Sequence, residues 1–99
     1  MRVVLQQEGG FAGLLRPPLV VDSAQLAVEQ QRELDRLIVE CNFFHLPTDG
    51  PTPPAGAADY VTYTLTVERE QQTHSIRMTD PLTDAALAAL IAFVKRYHP

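Results

Sequence analysis

Residues 60–79 constrain the fold most, because apolar and polar side chains alternate there over two successive runs. In the first run, 61–68, four apolar residues alternate with three threonines and a glutamate. The polar turn "REQQ" follows, and the second run, 73–79, alternates in the same way. A period of two predicts an antiparallel hairpin with one packed face and one solvent-facing face. The side chains predicted to face the core are Val61, Tyr63, Leu65, Val67, His74, Ile76 and Met78.

Two further segments space their apolar residues as amphipathic helices do, at i, i+3, i+4 and i+7. The first pattern predicts a helix over residues 27–42. The second follows the break at Asp80-Pro81, and Thr83 or Asp84 can cap its start. The first stripe consists of Leu34, Leu37, Ile38 and Cys41, and the second of Leu87, Leu90, Ile91 and Val94.

The amino-terminal part predicts two short strands, residues 2–7 and 19–22, that pair as a hairpin with a long, exposed tip. Pro17 and Pro18 cannot donate ladder hydrogen bonds, so they belong at the start of the second strand or on a sheet edge. Such an edge is poorly suited to pairing with another chain, which favours a monomer.

These elements occur in the order ββαββα. A two-layer α+β fold is therefore predicted, in which a four-stranded antiparallel sheet carries two helices on one face, and residues 1–99 form a single domain. Residues 47–58, "PTDGPTPPAGAA", form a loop between the two halves. A stiff connector is the favoured interpretation of this loop, with a second binding contact as the alternative.

Composition excludes several classes of function. The chain has 8 Lys and Arg against 12 Asp and Glu, a formal charge of −4, which argues against nucleic acid as a partner. Cys41 is the single cysteine, so an internal disulfide framework is excluded. No signal-peptide pattern and no run of membrane-spanning length occurs. We therefore expect a soluble, cytoplasmic protein with no membrane contact.

The cysteine, histidine and serine residues do not match the spacing of a known catalytic or metal-binding motif. Cys41 lies on the apolar stripe of its helix, which is typical of a small core residue. The histidines show no metal-ligand spacing, and the serines lie in no nucleophile-elbow pattern. We therefore expect no enzyme activity, no catalytic residue, no metal site and no cofactor. The serines are Ser23 and Ser75, and the histidines are His45, His74 and His98.

The stretch "QQEGGFAGLLRPP" contains three glycines and the apolar Phe11 between the first two strands. It leads into a proline-marked strand and not into a helix, so it lacks the helix N-terminus of a nucleotide site. One interpretation is a hairpin tip whose glycines adopt positive φ while Phe11 folds back onto the sheet. The other is a contact loop whose backbone approaches a partner closely while Phe11 or Leu14 fills a pocket.

Most of the chain resembles the emfourin family of proteinaceous inhibitors. The resemblance rests on "QQEGGFAGL", "VVDSAQL", a Gln-rich helix ending in "CNFFHLP", "ADYVTYTLTVE", "THSIRMTD" and "LAALIAFVKRY". It departs from the family at "REQQ", where a glycine-containing turn is expected, and in its proline-rich loop. The resemblance implies a non-enzymatic inhibitor of thermolysin-like zinc metalloproteases such as protealysin.

The same resemblance implies a contact segment that binds the protease cleft like a substrate, with Phe11 or Leu14 as the pocket anchor. Asp59 and a loop carbonyl are both conceivable contacts for the protease zinc. Two alternatives stay open: an interaction module for another partner, and a small ligand-binding or catalytic α+β domain. The implied contact residues are Gly9, Gly10, Phe11, Ala12, Gly13 and Leu14.

Overall fold

The computed structural model describes residues 1–9, 17–48, 61–79 and 84–98, and they form four strands and two α-helices. Short 3₁₀ turns follow the second strand and the first helix. The predicted ββαββα order and α+β class are confirmed. The elements are β1 (Arg2–Gly9), β2 (Leu19–Asp22), α1 (Val28–Glu40), β3 (Val61–Arg69), β4 (Gln72–Thr79) and α2 (Ala85–Tyr97).

The strands form one antiparallel sheet in the order β2-β1-β3-β4, which places β1 and β3 at its centre. β2 pairs with β1 only up to Leu5↔Leu19, whereas β3 pairs with β1 as far as Gly9↔Val61. The predicted end of the first strand at Gln7 is therefore two residues short. Main-chain pairing with β3 continues after the apolar alternation of β1 has stopped.

Both helices contribute to one hydrophobic cluster with the same face of the sheet. Leu65 of β3 and Leu90 of α2 have no exposed surface. The threonines of β3 point to the opposite face and are half-buried. The predicted packed face of the β3–β4 hairpin is thus confirmed, although His74 is only half-buried and the side chain of Val61 lies outside the described part. The buried cluster is Val3, Leu5, Val21, Leu34, Leu37, Ile38, Cys41, Phe43, Tyr63, Leu65, Val67, Ile76, Met78, Leu90, Ile91, Phe93 and Val94.

α1 lies close to its predicted limits, and α2 begins at a predicted cap. α1 is shorter than the predicted 27–42, because Asn42 adopts the left-handed conformation with φ 53° and ends the helical path. Asn tolerates this conformation better than most residues, and it directs the chain into the 3₁₀ turn Phe43–His45. Asp84 is the N-cap of α2. It was one of two predicted caps, and the other, Thr83, lies outside the described residues.

Candidate functional site

The ends of three strands lie next to each other on the sheet. β1 ends at Gly9, β3 begins at Val61 and β4 ends at Thr79. Gly9 is the Cα partner of Val61, and Thr79 pairs with Thr62. We call this set of strand ends (Gly9, Val61, Thr79) the loop end, because the segments 10–16, 49–60 and 80–83 join the sheet there. Those segments themselves lie outside the described residues.

The predicted contact segment starts at the loop end. Gly9 is the last residue of β1, and its main chain pairs with β3. The other five predicted contact residues lie outside the described part of the chain, so the segment remains a prediction. What the structure adds is a fixed starting point on a central strand. The predicted residues outside that part are Gly10, Phe11, Ala12, Gly13 and Leu14.

A packed layer lies beneath the loop end. Gln7, Tyr63 and Met78 are paired across β1, β3 and β4, and all are buried on the helix-bearing face. The Lys95 ammonium of α2 lies 5.2 Å from the centre of the Tyr63 ring, a cation–π contact. The last turn of α2 therefore packs over this row and supports the strands from which the segments leave.

The thiol of Cys41 is buried in the hydrophobic cluster. Its Sγ donates a weak hydrogen bond to the carbonyl of Ile38 at 3.5 Å. Burial raises the pKa of the Cys41 thiol, and the negative charge of Asp84 raises it further. A raised pKa disfavours the thiolate, which is the reactive form. The predicted core role of Cys41 agrees with this environment.

Ser23, Ser75 and His74 each have a different hydrogen-bond partner. The Ser23 hydroxyl lies 3.0 Å from the amino-terminal ammonium, and the Ser75 hydroxyl lies 2.7 Å from that of Thr66. His74 is half-buried on β4, and its Nε2 lies 2.7 Å from the carbonyl oxygen of Leu46. His45 is exposed. Within the residues described, no group of three or more His, Cys, Asp or Glu could hold a metal ion.

Among the surface grooves formed by described residues, two lie away from the loop end. The larger groove has a volume of about 750 Å³ and borders the β3–β4 turn at residues 70–71. Its lining includes the carboxylates of Asp35 and Glu70 and the guanidinium of Arg69. The smaller, of about 270 Å³, lies beside the end of α1. Neither of the two described helices could span a membrane.

Fold and site together define a small α+β protein whose long connections join the sheet at one end, an arrangement typical of proteins that bind through loops. A family model described as Emfourin matches residues 5–95. The chain therefore belongs to the emfourin family. This is an inhibitor family, and membership of it favours a metalloprotease inhibitor with a protease as partner. No curated protein sequence and no solved structure matches the chain.

Proposed function

We propose that this protein inhibits a thermolysin-like zinc metalloprotease, of the protealysin type, by occupying the active-site cleft. The observation that carries the proposal is membership of the emfourin family over residues 5–95. Thermolysin-like enzymes prefer bulky apolar residues beside the scissile bond, and Phe11 and Leu14 are the apolar side chains that the contact segment offers. The inhibitor acts by binding and performs no chemistry of its own.

The flanks of the contact segment support this mode of binding. Gly9 is held in β1 by β3, and Leu19 begins β2, which pairs with β1. Pro17 and Pro18 precede Leu19 and carry fixed φ angles. A segment with both flanks fixed loses less conformational freedom on binding than a free peptide does, and this favours affinity.

The first experiment titrates thermolysin with the purified protein while cleavage of a short peptide substrate is followed. We expect activity to fall to near zero at a near-stoichiometric amount. The double variant Phe11→Ala/Leu14→Ala should raise the inhibition constant by about a hundredfold or more, as loss of interface anchors does. Glu70→Ala/Gln71→Ala changes two exposed residues at the opposite end of the sheet and is the matched control.

Equal inhibition by the anchor variant and the wild type would refute the contact segment while leaving the inhibitor role intact. Absence of inhibition with thermolysin and with metalloproteases from the same organism would refute the inhibitor role. An interaction module for another partner would then be the remaining hypothesis. We further propose a monomer that acts in the cytoplasm, where it would protect the cell from prematurely active protease.

A further inference from the structure

Residues 46–48 lie along the outer edge of β4. The carbonyl oxygen of Leu46 can only accept a hydrogen bond, so His74 Nε2 carries the proton and donates it over 2.7 Å. Two residues further along this segment, the carbonyl of Thr48 accepts the backbone N–H of Arg77 at 2.8 Å. We call these two hydrogen bonds the β4 clamp.

The clamp fixes the chain close to the loop end. Arg77 lies two residues before Thr79, the last residue of β4. The chain leaves the described structure after Thr48 and returns at Val61, whose Cα partner is Gly9. The residues that flank the connection 49–60 are therefore attached to β4 and to β3, and β3 is the strand that pairs with Gly9.

Aromatic contacts set the orientation of the His74 ring. The ring packs edge-to-face against Phe43, with 5.6 Å between centroids and an interplanar angle of 82°. Phe44 lies 6.3 Å away, and the guanidinium of Arg69 covers the Phe44 ring at 4.8 Å. Phe43 is almost fully buried. The ring of His74 is thus held with its Nε2 directed at Leu46.

We propose that His74 is a positioning residue for inhibition: its hydrogen bond to Leu46 holds residues 46–48 on β4 and so fixes the point from which the chain continues toward Val61, the partner of Gly9. This proposal rests on the proposed function. Loss of the clamp frees residues 46–48 from β4, and ordering them again when the protease binds lowers affinity. His74 itself need not touch the protease.

The test compares three substitutions on β4. His74→Phe keeps an aromatic ring against Phe43 but has no donor for Leu46, whereas His74→Gln restores an N–H at similar reach. Ser75→Ala is the matched control, because it removes one hydrogen bond, to Thr66, on the opposite face of the same strand. We expect His74→Phe to raise the inhibition constant about tenfold, and His74→Gln and Ser75→Ala to change it by less than about twofold.

Amide hydrogen exchange at Arg77 reports the clamp directly, because that N–H donates to Thr48. We expect exchange at Arg77 to accelerate in His74→Phe and to remain slow in the other two variants. If His74→Phe does not fold by circular dichroism, His74→Leu, which also lacks a donor, replaces it.

Two results would overturn the role of His74 while leaving the inhibitor intact. One is unchanged inhibition in a folded donor-free variant whose Arg77 amide exchanges faster. The other is unchanged Arg77 exchange, which would mean that the clamp does not depend on His74. Failure of the wild-type protein to inhibit would instead refute the proposed function.

Discussion

The N-cap of α2 offers a test in which hydrogen bonding and charge can be separated. Asp84 Oδ1 accepts the backbone N–H groups of Ala86 at 2.9 Å and Leu87 at 3.2 Å. The first turn of α2 contains no acidic residue, so Asp84 supplies the negative charge at this helix terminus. Loss of such a cap costs about 1 kcal/mol, and up to about 2 kcal/mol in folded proteins. Asp84→Ala should therefore lower the free energy of unfolding by about 1–2 kcal/mol.

Asp84→Asn is the matched variant, because its side-chain oxygen still accepts the two N–H groups while the charge is removed. We expect it to stay within about 0.5 kcal/mol of the wild type. Urea unfolding followed by circular dichroism measures both values, and each kcal/mol should lower the melting temperature by about 4–8 °C in a domain of this size. Equal stability of Asp84→Ala and wild type would refute the capping role. An Asn variant as unstable as the Ala variant would assign the effect to charge.

The same pair of variants tests the environment of Cys41. The negative charge of Asp84 is the second cause, after burial, of the raised pKa of the Cys41 thiol. Both Asp84→Ala and Asp84→Asn should therefore lower that pKa to a similar extent, which thiolate absorbance in an ultraviolet pH titration can measure. An unchanged thiol titration in both variants would contradict this electrostatic contact.

Two further predictions concern the end of α1. The pKa of the Cys41 thiol is higher in the folded than in the unfolded protein. The contribution of this thiol to the free energy of unfolding is therefore complete below about pH 8.5, and it declines as the pH rises through the folded pKa. The stability difference between wild type and Cys41→Ala should therefore narrow above about pH 8.5, and a constant difference in urea titrations up to about pH 10 would contradict it. Asn42 has φ 53°. Asn42→Gly should therefore leave the free energy of unfolding nearly unchanged, whereas Asn42→Ala should lower it by about 1 kcal/mol. Equal thermal stability of the two variants would contradict the left-handed conformation of Asn42.

Much of the fold could be predicted because its signals are local. The alternation from Tyr63 to Met78 reflects strand geometry, and the stripe from Leu34 to Cys41 reflects helix geometry. Both patterns predicted side chains that the structure buries, except that His74 is only half-buried. The strand β1 was predicted two residues short because Glu8 and Gly9 carry no apolar signal, and their place in the sheet comes from pairing with β3.

The candidate site was predictable only in part. The glycines and Phe11 predicted a contact segment over residues 9–14, and of these residues the structure describes only Gly9. The β4 clamp was not predicted, because it joins Leu46 to His74 and Thr48 to Arg77 across 28 and 29 positions. The stretch "NFFHLP" contains Leu46, but no local sequence pattern identifies a backbone carbonyl as the partner of a distant histidine.

The sequence by itself determined the kinds of element, their order and the faces they bury, because side-chain periodicity is fixed by the geometry of each helix or strand. Tertiary structure decided that β1 pairs with β3 at the centre of the sheet, and that Gly9, Val61 and Thr79 lie together. It also attached residues 46–48 to β4. These relations depend on which surfaces bury each other and on main-chain hydrogen bonds between distant residues, and neither is encoded in a local repeat.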